Sequence, residues 1–238
     1  VAYVLLSKFG ESTRTYGLLF LVAFVPAALS VWVLAQIKDQ PGIAHERESV
    51  RENWQQLSPG FKRYLIPSGV FALAYFSLGF ILLKAHAVGF GVADIVLLYA
   101  LFNVTCVVAA PLIGRLGDKV GRNRILLLGY GLYAAINLWL ALASSRWEMV
   151  AIFGIYGLFY AIDESQSKAL IADIEPERRA TAIGIYNFVT GLMYLPASLA
   201  AGALWTVAPA LAFSMAAALS LIAMAIFAVV RPAKGSLC

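Results

Sequence analysis

Three ionisable side chains, Asp163, Glu164 and Lys168, interrupt an otherwise apolar run over residues 149–170. At about 1.5 Å of rise per residue from Met149, the two carboxylates lie about 21–22 Å along a helix. A bilayer core is about 30 Å thick, so that depth falls in its inner half rather than at the midplane. An ionised carboxylate there costs on the order of 2.5–3.5 kcal/mol or more, and it must face water, a partner or a proton. Tyr156, Tyr160, Asp163 and Ser167 recur at i, i+4, i+7 and i+11, which makes one polar stripe, with Ile155, Leu158 and Ile162 opposite. A cavity wall needs such a stripe. Two chemistries fit it. Asp163 or Glu164 binds a proton or the cationic group of a solute; or Glu164 and Lys168, an i, i+4 pair in the favourable order, neutralise each other while the lysine snorkels to the inner surface. Lys168 is read as structural.

The remaining polar residues within apolar runs are sparser. Asn187, Thr190 and Tyr194 share one face of 181–205, Asn103 is expected to face inward from 94–113, and Tyr75 lies in 62–84. Each either contacts a solute or hydrogen-bonds a neighbouring helix. No Ser/His/Asp set, metal cluster or phosphate-cradling loop is present, so neither an enzyme nor a cofactor is expected. Cys106 and Cys238 make no framework, and His86, on the short loop 85–93, is read as solvated.

The elements that must position these residues are membrane helices. The chain has 238 residues, of which 61% are hydrophobic and 13% charged, and its mean hydropathy of +0.81 is not that of a water-soluble domain. The net charge of +5 forms no nucleic-acid-binding face, because the cations sit between apolar runs. Seven runs are long enough to span: 16–37, with Pro26 as a kink; 62–84, with Pro67 near its entry; 94–113; 125–143; 149–170; 181–205; and 209–230. Residues 1–6 look like the tail of a further helix, so the chain reads as a fragment. Between the first two spans, Val50, Trp54 and Leu57 recur at i, i+4 and i+7 among charged residues, which predicts an amphipathic surface helix over 44–57.

Thirteen cations fall on one side of this arrangement: Lys38, Arg47, Arg51, Lys62, Arg63, Arg115, Lys119, Arg122, Arg124, Arg178, Arg179, Arg231 and Lys234. Four fall on the other: Lys8, Arg14, Lys84 and Arg146. The richer side is expected to be cytoplasmic, with the carboxy terminus on it.

The stretch 114–124, GRLGDKVGRNR, joins the third and fourth spans on the basic side. Gly114 and Gly117 are expected to permit close backbone approach, and Gly121 a turn that a Cβ would oppose. Asp118 is the loop's one acid, set to neutralise the cations or to point at a helix N-terminus. This pattern resembles the signature loop of major facilitator superfamily (MFS) transporters, G-x-L-(A/G)-D-(R/K)-x-G-R-(R/K), with Asn123 departing at the weaker basic position. The stretch 173–180, DIEPERRA, resembles a second family pattern through Pro176, Arg179, Ala180, Ala182 and Gly184.

The resemblance implies an all-α, polytopic membrane helix bundle, half of a twelve-helix fold. Residues 1–37 would hold the tail of helix five and all of helix six, 38–61 a cytoplasmic linker, 62–230 helices seven to twelve, and 231–238 a cytoplasmic tail. Two inverted three-helix repeats are expected in the six-helix half. The implied function is secondary transport of a small solute by alternating access, with protons as a candidate coupling ion. Its implied partners are the inner-membrane bilayer, the solute and a missing amino-terminal half. Gly114, Gly117, Asp118, Lys119, Gly121 and Arg122 would form a latch, with Asp118 against the N-terminus of helix five. The competing expectation is a seven-span anchor or sensor that transports nothing.

Overall fold

The computed structural model describes residues 2–10, 12–36 and 50–230, and every regular element among them is helical. In order they are α1 (Ala2–Phe9), α2 (Thr13–Leu34), α3 (Val50–Gln56), α4 (Pro59–Ala74), α5 (Gly79–Ala87), α6 (Val92–Val120), α7 (Arg122–Leu142), α8 (Arg146–Ile174), α9 (Arg179–Val207) and α10 (Pro209–Val230). Six segments are long and apolar enough to cross a membrane: α2, Pro59–Ala87, α6, α7, α9 and α10. The seventh expected span, within α8, is 29 residues long, but its polar content keeps it out of that set.

α8 carries more buried residues than any other described helix. It packs along α6 on one side and α7 on the other, while α10 packs on α7 and α4, and α9 on α4. In lipid, apolar surface gains little by burial, so such contacts hold by close packing rather than by escape from water. Small residues set how close they come. A Cβ at Gly157 of α8 would lie 2.5 Å from the Phe102 carbonyl oxygen and 2.9 Å from Thr105 Cβ, so the α6 and α8 backbones meet there. A Cβ at Gly129 of α7 would lie 2.8 Å from Ile162 Cγ2, which brings α7 onto the opposite flank. Above this crossing the core is aromatic: Phe71 stacks on Tyr130 with centroids 4.1 Å apart, and Tyr133 lies 4.7 Å from Phe159.

The second expected span is broken. Helix α4 stops at Ala74, residues 75–78 are not helical, and α5 resumes at Gly79. Backbone carbonyls freed inside a membrane need new donors, and the Tyr133 hydroxyl donates to the Ala74 carbonyl at 3.1 Å. Proline placement differs too. Helix α4 begins at Pro59, so Pro67 stands in its interior rather than at its entry. At the basic end, Ser58 caps α4 by accepting from Phe61 N–H, and the Ser58 N–H itself donates to Glu175 Oε1 at 2.7 Å. The buried Glu175 carboxylate thus places an anion at the start of α4.

The expected surface helix is described only as α3; its first residues, 44–49, and the expected tail 231–238 lie outside the described residues. Leu57 is buried, and Lys62 lies 5.6 Å over the Trp54 ring. Helix α2 stands apart, reaching the rest of the described chain chiefly through α1, which lies on α6. Its large apolar side chains, Phe20, Leu21, Phe24 and Trp32 among them, are exposed.

Candidate functional site

Helices α8 and α9 touch sparingly, and a cavity of about 280 Å³ opens between them. From α8 come Asp163, Glu164, Ser167 and Lys168; from α9 come Tyr186, Asn187, Thr190 and Tyr194. The predicted stripe therefore divides. Asp163 and Ser167 reach the cavity, and the Ser167 hydroxyl donates to Asp163 Oδ1 at 3.3 Å. Tyr156 does not reach it: only 2% exposed, it packs on Phe102 of α6 and on Tyr133 of α7. Tyr160 sets its ring edge-on to Phe102, with centroids 5.4 Å apart. The reason is the close α6–α8 crossing, which draws the upper half of the stripe into the helix interface.

Glu164 and Lys168 form the expected ion pair, lying one turn apart and half-exposed. That leaves Asp163 with a hydroxyl as its hydrogen-bond partner and no cation bonded to it among the described residues. On α9, the Thr190 hydroxyl donates to the Tyr186 carbonyl at 2.9 Å, so its proton is spent on its own helix. Asn187 is exposed and lines the cavity. Asn103 does not join the site. It lies on the exposed face of α6, and its amide donates to the Tyr99 carbonyl one turn back. His86 is exposed, with its Nδ1 at 3.1 Å from the Phe90 carbonyl oxygen.

The basic stretch is more helical than a loop. Helix α6 runs through Gly114 and Gly117 to Val120, and the chain turns on Gly121 alone, at φ +102°. That φ favours glycine over any residue with a Cβ. Gly117 is also accounted for, because a Cβ there would overlap Gln166 of α8, coming within 2.6 Å of its Cδ. The fully buried Gln166 amide donates to the Ile113 carbonyl at 3.1 Å, so the signature stretch is pinned to α8. Gly114, by contrast, has open space where its Cβ would be, and close approach is not its role among the described residues.

Asp118 is 63% exposed at its side chain and pairs with Arg122 at 2.9 Å. Arg122 Nε also holds Asp173 at 2.7 Å, which ties the start of α7 to the end of α8. Lys119 is exposed on the same surface. Asp118, Arg122 and Asp173, but not Lys119, border a second cavity of about 560 Å³, which also takes in Gly121.

The family model described as Major Facilitator Superfamily matches residues 65–237, most of the chain and both sides of this stretch. The chain belongs to the Major Facilitator Superfamily. It is 32% identical, over 215 residues, to an uncharacterised MFS-type transporter of Methanocaldococcus jannaschii, covering 87% of this chain and 54% of that protein. A second uncharacterised MFS-type transporter, of Mycobacterium tuberculosis, is 29% identical over 115 residues, 48% of this chain and 20% of that protein. The chain thus spans about half the length of the first of these relatives. As an MFS chain it is a multi-pass membrane protein of a transporter family rather than an enzyme, with helices long and apolar enough to cross a lipid bilayer.

Sequence reasoning missed several parts of this candidate site in the MFS chain. Tyr186 was legible, since it stands at i, i+4 and i+8 with Thr190 and Tyr194, which share the cavity. Gln166 was visible as an amide inside an apolar run, but its partner Ile113 is 53 residues away. Asp173 and Glu175 looked like loop charges. Their roles depend on which helix ends meet, and no local pattern encodes that.

Proposed function

We propose that this chain forms the carboxy-terminal half, with helix six, of an inner-membrane secondary transporter. It moves a small solute by alternating access, and a proton carried on Asp163 couples the movement to a gradient. The observation that carries this reading is the α8–α9 cavity, where Asp163 meets a single hydroxyl while the neighbouring charges cancel as a pair. A carboxylate in that position requires a mobile countercharge. The broken α4–α5 unit beside the aromatic core supports the reading, since irregular backbone at membrane depth is tolerated where it lies in protein or lines a cavity. In this arrangement residues 1–37 belong with an amino-terminal half, 38–61 link the halves, and 62–230 form the second half.

The orientation follows from the cation bias, with the α6–α7 and α8–α9 ends and the carboxy terminus in the cytoplasm. After replacement of Cys106 and Cys238, single cysteines at Lys119 and Glu177, both exposed, should react with an impermeant reagent only from the cytoplasmic side. Reaction of both from outside reverses the topology.

The signature stretch acts as a latch on the cytoplasmic face. Arg122 gathers Asp118 and Asp173, which sets the α6–α7 end for contact with the other half. Surface pairs of this exposure are worth about 0.2–1 kcal/mol each, so Arg122→Gln should leave the folded yield close to wild type. In the full-length protein the same change should lower transport about tenfold and shift the population toward the inward-open state. Unaltered transport together with unaltered accessibility would remove the latch role.

A further inference from the structure

The solute site carries enough chemistry to name a class of solute. We propose that the α8–α9 cavity takes an organic cation, a quaternary or protonated amine, whose charge sits at Asp163 and whose alkyl shell rests on the tyrosine rings of α9. This rests on reading the cavity as the carrier's solute site, and it goes further by excluding other solutes.

The first observation is charge. Lys168 is committed to Glu164 one turn away, and among the described residues the only other charged group on the cavity wall is Asp163. The wall therefore presents one net negative charge. An anion would meet two carboxylates and a lysine that is already paired. A neutral solute would leave the charge of Asp163 to its proton alone, so the hydrogen-bonding groups of the wall decide against it.

The second is the donor inventory. A polyol is gripped by many free donors and acceptors, and here few are free. The Ser167 hydroxyl is donated to Asp163 and the Thr190 hydroxyl to the Tyr186 carbonyl. Among the amide and hydroxyl groups of the wall, Asn187 and the two phenols remain.

The third is independent of both. Two of the eight residues on the wall are tyrosines, Tyr186 and Tyr194, with more rings behind them. Tyr186 stacks on Tyr64 at 6.0 Å with an interplanar angle of 6°, and Tyr194, 37% exposed, leans on Tyr75 at 5.5 Å. The layer behind the wall, Tyr64 and Tyr75, adds rings and no positive charge. Ring faces attract a cation within about 6 Å of their centroids, and an alkylated ammonium, weakly hydrated, gains most from such a wall. A carboxylate with tyrosine rings beside it suits that ligand and suits neither a phosphate nor a sugar. A proton and the cation then alternate on one carboxylate, which is an exchange.

The test uses the full-length protein, purified, with radiolabelled phenyltrimethylammonium as the probe. Benzenesulfonate and a hexose serve as the anionic and polyol competitors. Saturable binding of the ammonium is expected, with neither competitor displacing it. Asp163→Asn should weaken it at least tenfold. Tyr194→Leu should weaken it about fivefold, whereas Tyr194→Phe, which keeps the ring and lacks the hydroxyl, should stay within about twofold of wild type. Absence of saturable binding, equal competition by either control, or an Asp163→Asn affinity equal to wild type would overturn the cation class. Thiol labelling of a cysteine at Asn187, with the same protein reconstituted in sealed vesicles, separates the two levels. Labelling that switches sides while no ammonium binds removes the solute class and leaves the carrier; labelling confined to one side with no ammonium bound removes both.

Discussion

Asp163→Asn in the full-length protein is expected to abolish uphill accumulation of solute, while downhill exchange survives at a measurable rate. Asparagine keeps the shape of the side chain, and it can still accept from the Ser167 hydroxyl now donated to Oδ1. It loses the negative charge and the ability to carry a proton. A carrier that couples through this group then has no ion to move, and accumulation should fall to the level of passive equilibration. Glu164→Gln is the internal comparison. Its charge is matched by Lys168, and both side chains are about half exposed, so the pair is a weak source of stability. That variant should retain accumulation and differ mainly by a small loss of thermal stability. Accumulation by Asp163→Asn with wild-type dependence on the proton gradient would make Asp163 a structural residue.

Gly157→Leu is expected to prevent assembly of the bundle. The first added carbon would lie 2.5 Å from a backbone oxygen of α6 and 3.2 Å from the Cys106 nitrogen, and backbone cannot rotate away as a side chain can. Overpacking in a filled core costs about 1–3 kcal/mol, and more where the neighbour cannot yield. Forcing α6 and α8 apart would also move the Asp163 turn, so loss of folded protein and loss of solute binding should go together. Gly154, one turn earlier on the same helix, has nothing within 4 Å of its Cβ position. Gly154→Leu should therefore express and melt close to wild type. Equal thermal stability for the two variants, measured in detergent, would mean that the α6–α8 crossing does not govern the fold.

The sequence made the helices legible because apolar runs of membrane length leave few alternatives. It also marked the charges of α8 and the basic turn, since both break a uniform background. What it could not convey was partnership. Tyr156 and Asp163 share a helical face by spacing, yet one is buried against α6 and the other opens onto α9, because neighbouring helices diverge along their length. The interruption at 75–78 carries no proline, and it became visible only through the Tyr133 hydroxyl that satisfies a freed carbonyl. Gly117 looked like a loop glycine and is instead a helical one, made necessary by Gln166. Asn103 looked like a polar residue turned inward, but its amide is satisfied by its own helix.

The claim that the α8–α9 cavity is reached from each side of the membrane in turn has a direct measurement. Asn187 lines that cavity and is exposed, so a cysteine there, in full-length protein lacking Cys106 and Cys238, reports on access. An impermeant thiol reagent is applied to right-side-out and inverted vesicles, with and without an imposed proton gradient. The account predicts reaction from both sides, with the balance shifting as the gradient is reversed and with Arg122→Gln raising the cytoplasmic share. Reaction from one side only, unchanged by gradient and by that substitution, would contradict it.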